Sequence, residues 1–265
     1  MFYNFSNHRS NIWPKERVEA IQKCWGQIID IEFPLFPVEF SEEEVLSLAK
    51  DYIVTLNLGP KDAILIMGEY SFTFTVVDYL LSQNMNVFCI KSRQIRTSVQ
   101  KEDGTTERVQ RTFFLGNLPY QRYNGDLTYI SKKNPVFLNC SAHYPSDSSW
   151  DDSIRNAASH YGEIKDYPIE AMHLMEAEIR DDTIRKILND IDNITPSAIL
   201  LDGDFFTFFM MADALCRKGY TVIIKCSNRN ATETMNPDGS STKISSFKFV
   251  RFRKLSRILN KGSEQ

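Results

Sequence analysis

The sequence has 265 residues, of which 42% are hydrophobic and 25% are charged, and its net charge is −3 at pH 7. This balance is typical of a globular protein, and the length allows one large domain or two small ones. No run of about 18 apolar residues is present, so the sequence predicts no membrane-spanning helix and no membrane partner.

The first predicted elements alternate between strands and helices. The predicted order is a strand at 1–5, a helix at 15–25, a strand at 27–33, a helix at 42–56, a strand at 63–67, a helix at 71–82 and a strand at 86–91. Ser41 and Glu44 form the pattern of a capping box at the start of the second helix. Because strands alternate with helices, a parallel sheet with right-handed crossovers is expected.

The pattern changes after residue 91, where Asp103-Gly104 separates two β-rich arms and predicts a β-hairpin. The hairpin region 91–118 contains six Lys and Arg residues against three acidic residues, a net charge of +3. The corresponding region 225–257 contains eight against two, a net charge of +6, which leaves −12 on the rest of the chain. Two interpretations are open: the cations protect edge strands from aggregation, or they form a cationic rim for a phosphate-bearing ligand.

The chain contains an internal repeat at an offset of 135 residues. The offset holds without gaps from 63 to 114 and again at the first strand. The matched positions include Phe2 and Phe137, Asn4 and Asn139, Ser6 and Ser141, His8 and His143, Gly68 and Gly203, and Asp78 and Asp213. We therefore predict a duplication, with copy 1 at 1–118, a linker at 119–134, copy 2 at 135–258 and a polar tail at 259–265. The polar residues from 256 onward are expected to be frayed.

The fold class predicted for the chain is α/β, with two duplicated Rossmann-like domains that form an intramolecular pseudo-dimer. In each copy a mostly parallel sheet is flanked by helices and ends in the hairpin. The helices that follow the glycine turns are rich in phenylalanine, and these rings are expected to lie in the core and in the contact between copies. They are Phe72, Phe74, Phe205, Phe206, Phe208 and Phe209.

Polar residues follow the first and third predicted strands of each copy, at the carboxyl edge where open parallel sheets bind ligands. After the first strand they are Ser6, Asn7 and His8 in copy 1, and Ser141 and His143 in copy 2. After the third strand they are Gly68, Glu69 and Ser71, and Gly203 and Asp204. A glycine allows a ligand to approach the backbone, and the following helix N-terminus favours an anion. The acid in the same turn would repel phosphate, so it suits a hydroxyl or amino group, or it caps the helix.

The chain contains no G-x-G-x-x-G fingerprint, P-loop or G-x-S-x-G motif. Its four histidines and five cysteines show no zinc spacing, so neither a metal nor another cofactor is predicted. The cysteines form no C-x-x-C pair, and no cationic leader with an apolar segment opens the chain. A cytoplasmic location is therefore expected.

The Rossmann-like unit, the Ser/His loop, the glycine turn and the basic hairpin together resemble the CRISPR-associated Rossmann-fold (CARF) domains. The small stand-alone members, which include ring nucleases, are the most similar. The segments MGEYSFTFTVVDYLL, DGSSTK and FKFVRFRKL carry this likeness, which extends over both copies. The resemblance implies that a cyclic oligoadenylate lies across the two-fold axis between two domains. Here the two copies would supply both domains, in a monomeric pseudo-dimer or in a homodimer, and duplex nucleic acid is not an expected partner.

The resemblance also implies metal-independent cleavage of the ring, by attack of a ribose 2′-OH on the adjacent phosphate. The catalytic residues would then be His8, Ser6, His143 and Ser141. The ligand-binding residues would be Asn7, Gly68, Glu69, Ser71, Gly203, Asp204, Arg93, Arg96 and Arg229. The two half-sites are unequal, because the offset places Ala142 opposite Asn7 and Phe206 opposite Ser71.

Three alternatives to a ring nuclease are compatible with the sequence. The first is a sensor or sink that binds a cyclic nucleotide without cleaving it. The second is a protein that binds another small nucleotide. The third is an interaction protein whose aromatic helices form an interface between molecules.

Overall fold

The structure is a computed structural model of the whole chain. It describes the backbone at residues 1–100, 106–141, 143, 145–146, 150–235 and 241–258. It describes the side chains of the same residues except 94–100, 106–113, 229–235 and 241–247. The hairpin turns predicted at 103–104 and 238–239 therefore lie outside the described residues, as do Ala142 and the tail at 259–265.

Copy 1 forms a five-stranded sheet in the order β2-β1-β3-β4-β5. The strands β1 to β4 are parallel, and β5 runs antiparallel to β4. Its elements are β1 (Phe2–Ser6), α1 (Lys15–Trp25), β2 (Ile28–Asp30), α2 (Glu42–Leu56), β3 (Ala63–Met67), α3 (Tyr70–Ser82), β4 (Asn86–Gln100) and β5 (Thr106–Pro119).

Copy 2 repeats this topology, with the sheet order β10-β9-β8-β6-β7. Its elements are β6 (Asn134–Asn139), α4 (Asp152–Ser159), β7 (Glu163–Asp166), α5 (Ala177–Ile194), β8 (Pro196–Leu200), α6 (Phe205–Arg217), β9 (Val222–Met235) and β10 (Ser241–Lys254). The predicted duplicated Rossmann-like α/β fold is confirmed. None of the described helices has the length and apolar character needed to cross a membrane.

Local signals in the sequence explain most element boundaries in copy 1. The capping box forms, since Ser41 Oγ accepts from the Glu44 amide and Glu44 accepts from the Ser41 amide. Gly26, at a φ of +79°, ends α1 in a conformation that favours glycine. The strand predicted at 27–33 is shorter than expected. It ends at Asp30, and prolines at 34 and 37 in the segment that follows cannot donate to a strand ladder.

The two copies pack through α3 and α6, whose aromatic rings meet across the interface. The ring of Tyr70 lies 4.9 Å from that of Phe205 and 4.6 Å from that of Phe208, centroid to centroid. Phe74 contacts Phe209 at 5.7 Å, and one buried apolar cluster contains residues of both copies. The predicted role of the phenylalanines in the core and in the contact between copies is confirmed. Because these rings are used within the chain, they offer little surface to a second molecule.

A cluster of charged side chains joins the two copies near the C-terminal ends of α3 and α6. Asp78 and Asp213 are almost completely buried, and the offset of 135 residues relates them. Arg122 Nη1 lies 2.7 Å from Asp78 Oδ1 and also bonds to Asp213 Oδ1. Arg257 Nη2 lies 2.7 Å from Asp213 Oδ1, and Arg257 Nη1 lies 3.7 Å from Asp78 Oδ1. The two arginines are also related by the offset, so the cluster has approximate two-fold symmetry.

The position of Arg257 corrects the expectation that the chain is frayed from residue 256. The carbonyl of Ser256 accepts a hydrogen bond from Thr75 Oγ1 in copy 1, at 2.8 Å. Arg257 binds both the backbone and the side chain of Asp213. These residues continue the last strand onto the interface, because the buried carboxylates need a cation that the polar sequence alone did not reveal.

We expect Asp213→Asn to lower the free energy of unfolding by about 3 kcal/mol, because it leaves buried arginines without their counter-ion. Urea unfolding followed by circular dichroism measures this change. Asp182→Asn is the matched control, since Asp182 forms an exposed pair with Arg185 and should hardly matter. Equal stability of Asp213→Asn and the wild-type protein would show that the cluster does not hold the copies together.

Candidate functional site

The carboxyl ends of β3 and β8 meet across the interface between the copies. Tyr70, the first residue of α3, donates from its hydroxyl to the carbonyl of Gly203, at 2.5 Å. Burial raises the pKa of Tyr70, and the charges of Asp202 and Asp204 act in the same direction. The phenol therefore stays protonated and remains a donor. This contact places the two predicted glycine turns next to each other.

A small cavity of about 50 Å³ lies at this junction. We call it the interface cleft; its lining residues are Tyr70, Ser141, Leu200, Leu201, Asp202, Ile224 and Lys225. Tyr70 belongs to copy 1 and the others to copy 2, so the cleft exists only because the copies face each other. Ligand pockets for small molecules are usually about 300 Å³ or larger. A ligand the size of a nucleotide would therefore lie across the mouth of the cleft.

Both hairpins extend beyond the sheet edge at which the cleft lies. In copy 1, β3 pairs with β4 at Leu65 and Phe88, so residues from 91 onward project past the end of β3. In copy 2, Leu200 pairs with Ile223, so Lys225 is level with Asp202 and the strand continues outward. The two arms remain paired as antiparallel ladders as far as 100 and 106, and 235 and 241. Their sequences carry the net positive charges counted above.

The base of the second arm crosses onto copy 1 through Arg253, whose exposed fraction is 1%. Its Nη1 lies 3.1 Å from Glu69 Oε1, its Nε donates to the carbonyl of Phe40 at 2.9 Å, and its Nη2 donates to that of Val38 at 2.9 Å. Arg253 therefore belongs to the packing between copies. It is not part of a cationic rim open to ligand.

A histidine forms the corresponding contact in the other direction. His173 Nε2 lies 2.9 Å from the carbonyl oxygen of Ser92 in β4, and Nδ1 lies 3.2 Å from Asp204 Oδ2. The hydrogen bond to Asp204 raises the pKa of His173 above its usual range, against the effect of burial. Because both neighbours are acceptors, the arrangement favours the doubly protonated imidazolium.

The acids of both glycine turns cap the helices that follow, as one interpretation of the sequence predicted. Glu69 accepts from the Phe72 amide at 2.8 Å and from Ser71 Oγ at 2.7 Å. Asp204 accepts from the Thr207 amide at 3.0 Å. Burial opposes ionisation of Asp204, but the bonds from His173 and Thr207 outweigh it and lower its pKa. Each capping acid is thus paired with a cation, Arg253 or His173, which offsets its repulsion of an anion.

The two glycines of the turns have different surroundings. A Cβ atom at Gly68 would lie 2.1 Å from the ring of Phe33, so glycine is needed there for packing. Gly203 has a φ of +137°, and a Cβ atom there would meet nothing within 4 Å. Open space next to the backbone therefore exists only in the turn of copy 2.

The loop after β1 is held by a hydrogen-bond network around a buried asparagine. Asn4 Nδ2 donates to the carbonyl of His8 at 2.8 Å and to Asp30 Oδ1 at 2.6 Å. Ser6 Oγ donates to Asn4 Oδ1 at 2.8 Å, and Trp13 Nε1 donates to the same carbonyl of His8. Copy 2 repeats every bond of this network with Asn139, His143, Asp166, Ser141 and Trp150.

This network gives a structural reason for the recurrence of the Ser/His loop. The serine hydroxyls are used within the loop, and each histidine contributes its backbone carbonyl. The imidazoles of His8 and His143 are exposed, and neither has a hydrogen-bond partner among the described residues. The catalytic roles of Ser6, His8, Ser141 and His143 remain predictions.

The remaining predicted binding residues are dispersed. Asn7 is exposed and lines a cavity of about 370 Å³ at the ends of β1 and β2, together with Asn4, Ser6, Arg9, Asp30, Ile31, Glu32 and Phe33. Arg93 is exposed at the base of the first arm. The side chains of Arg96 and Arg229 lie outside the described residues. In the described part of the chain, no three His, Cys, Asp or Glu side chains converge as metal ligands would.

The sequence analysis missed Tyr70, His173 and Arg253. Tyr70 adjoins the predicted turn, and its polar end on an otherwise apolar helix was an available signal. Arg253 and His173 act across the copies, on residues more than 80 positions away along the chain or on another loop. No local pattern predicts such contacts.

We expect Ser6→Ala and Ser141→Ala each to lower the free energy of unfolding by about 1 kcal/mol, because each leaves a buried asparagine oxygen without this donor. Urea unfolding measures both. His8→Gln is the control and should leave stability unchanged, since only the backbone carbonyl of His8 takes part in the network. Stable serine variants with an unstable histidine variant would contradict this assignment.

The His173–Asp204 pair should make stability depend on pH. A raised histidine pKa contributes stability that is complete below about pH 6.5 and is lost as the pH rises through the folded-state value. A lowered aspartate pKa contributes stability above about pH 3.8 that is lost as the pH falls. The destabilisation caused by Asp204→Asn should therefore be largest near pH 5 and shrink towards pH 8, as measured by urea unfolding at each pH.

Glu69→Gln is the matched control for this pH series, because its partner Arg253 does not titrate in that range. The destabilisation caused by Glu69→Gln should stay constant from pH 6 to pH 8. Parallel curves for the two variants would show that His173 is not the titrating partner of Asp204.

Comparison with known proteins agrees with the duplication. No curated protein matches the chain. Among solved structures, GanP, a glucose-galactose binding protein from Geobacillus stearothermophilus, is 13% identical over 83% of this chain and 75% of its own. Its TM-score of 0.23 is too low to establish a common fold. A family model matches residues 1–114 and 136–253, which correspond to the two copies, so the chain belongs to the Uncharacterized protein MJ1673 family.

Proposed function

We propose that the protein binds a cyclic oligoadenylate across the interface cleft, between the two hairpin arms. One observation carries this proposal: the glycine turns, the N-termini of α3 and α6 and the bases of both basic arms meet at one junction of the two copies. A ring of repeated nucleotides has rotational symmetry, and this junction has approximate two-fold symmetry. Each copy can therefore face an equivalent part of the ring.

Electrostatics at the junction favour an anion. The helices α3 and α6 direct their N-terminal amides here, and a helix N-terminus favours negative charge. The capping acids are already paired with Arg253 and His173. Lys225 lines the cleft, and Arg93 is exposed at the base of the first arm. The phosphates of a cyclic oligoadenylate match this charge distribution, which the arms extend outward.

The two halves of the junction would contact the ligand unequally. Lys225 in copy 2 corresponds to Ile90 in copy 1, and Tyr70 in copy 1 corresponds to Phe205 in copy 2. A charged contact is therefore offered on one side only. We infer that one half of the ring is held more tightly than the other.

Binding without cleavage is the function that the geometry supports best. The hydroxyls of Ser6 and Ser141 are used by the loop networks, and no described side chain orients His8 or His143 for proton transfer. General acid–base catalysis depends on a positioned group close to the reacting proton. A sensor or sink requires only the cleft and the arms. Ring cleavage is the competing function, which the same experiment detects.

Calorimetric titration with cyclic tri-, tetra- and hexa-adenylate in EDTA tests the proposal. We expect one of the rings to bind and to be recovered intact by chromatography. Lys225→Ala should weaken binding about tenfold, because it removes a charged contact to phosphate. Lys50→Ala removes an equal charge from an exposed position on α2 and should leave affinity unchanged.

Three results would contradict the proposal. If no ring binds, or if linear adenylates bind equally well, the ligand is of another class. If Lys50→Ala weakens binding as much as Lys225→Ala, the charge of the whole molecule is responsible and the cleft is not. If a linear product forms and disappears in His8→Ala, the protein is a ring nuclease and the binding-only function is wrong.

A further inference from the structure

A second cavity, of about 620 Å³, lies between the linker and helix α5. It is large enough for a small-molecule ligand and shares no residue with the interface cleft. We call it the linker cavity; its lining residues are Gln121, Arg122, Tyr123, Asn124, Gly125, Ala177, Arg180, Asp181, Arg185 and Met210.

Arg180 is the unusual residue of the linker cavity. Its exposed fraction is 8%, and its guanidinium lies 5.0 Å from the centre of the Phe206 ring. Nη2 donates to Gln121 Oε1 at 3.0 Å, whereas Nε is buried without a hydrogen-bond partner. Within the described part of the chain, no carboxylate forms an ion pair with Arg180. A buried cation without a counter-ion is costly, so the structure lacks an anion at this point.

The duplication shows that packing alone does not require an arginine here. The offset places Val45 of α2 opposite Arg180 of α5, and Val45 is buried in the core of copy 1 with an exposed fraction of 2%. A valine therefore fills the equivalent helix position without any cost of charge burial. The arginine in copy 2 is explained by a ligand more readily than by the fold.

The other charges of the cavity leave Arg180 as its available cation. Arg122 is bound to Asp78 and Asp213. Arg185 is exposed and pairs with Asp182 at 2.6 Å, and Asp181 adds a negative charge at the exposed rim. The deep part of the cavity is therefore cationic, and its opening carries both signs. Tyr123 and Met210 provide contact surface for an organic group.

We propose that the linker cavity binds a phosphate group, free or as a phosphate monoester, with the phosphate oxygens accepting from Arg180. A planar guanidinium matches the geometry of phosphate and can donate two parallel hydrogen bonds to it. The site belongs to copy 2 alone and does not depend on the function proposed for the interface cleft.

The test is a titration of the full chain with inorganic phosphate and, separately, with glycerol 3-phosphate. The readout is the Nε–H resonance of Arg180 in ¹H–¹⁵N NMR spectra, assigned by its loss in Arg180→Lys. We expect this resonance to shift in a saturable way with at least one of the two probes. Tighter binding of glycerol 3-phosphate than of phosphate would identify a monoester as the preferred form.

Arg180→Met keeps the length of the side chain and removes its charge. We expect it to weaken the binding of the probe about tenfold or more in calorimetric titration. Lys225→Ala, in the interface cleft, should leave this binding unchanged and so separates the two sites. Arg185→Ala is the second variant if Arg180→Met does not fold, and its control is Lys50→Ala, at the equivalent position of α2.

The proposal is overturned if neither probe shifts the Arg180 resonance. It is also overturned if Arg180→Met binds both probes as the wild-type protein does, because binding would then occur elsewhere. If Arg180→Met cannot be studied, equal loss of binding in Arg185→Ala and Lys50→Ala would show a non-specific effect of charge and overturn it as well.

Discussion

The arrangement of the molecule depends on two buried carboxylates, Asp78 and Asp213, and on the arginines that neutralise them. Asp213 has no exposed surface, so its charge is tolerable only beside a cation. Arg122 follows the last strand of copy 1, and Arg257 follows the last strand of copy 2. The segments that leave the two sheets are therefore drawn onto the same interface. This fixes α3 against α6 at their C-terminal ends, and a helix of 13 residues carries that constraint about 20 Å to the glycine turns.

Most of the fold could be predicted because its signals are local. Alternation of strands and helices, the capping box at Ser41 and the glycine after α1 each act within a few residues. The offset of 135 residues then supplied the second copy. The charged cluster was missed although the offset relates Arg122 to Arg257, because both residues lie in segments without periodicity. Burial of the two aspartates becomes evident only when the copies are packed together.

The candidate site was less predictable, since recurrence does not distinguish a ligand contact from a structural bond. The Ser/His loop recurs because a buried asparagine holds it in both copies, and the histidine takes part through its backbone. The acids after the glycines were correctly interpreted as helix caps in one of two readings of the sequence. Their partners, Arg253 and His173, are distant in sequence and differ between the copies. Only the three-dimensional contacts show that these acids are neutralised.

Fusion of the two copies in one chain allows the halves to differ. In a homodimer of identical chains every substitution appears twice, so a cation introduced on one side of the axis also appears on the other. Here Lys225 faces the cleft where copy 1 has Ile90, and Arg180 lines a cavity where copy 1 has Val45. Each difference adds a positive charge to copy 2 while the shared core of the interface is kept. The duplicated chain can therefore hold the aromatic packing of a symmetric pair and still carry, in one half only, the cations that an unsymmetrical ligand would require.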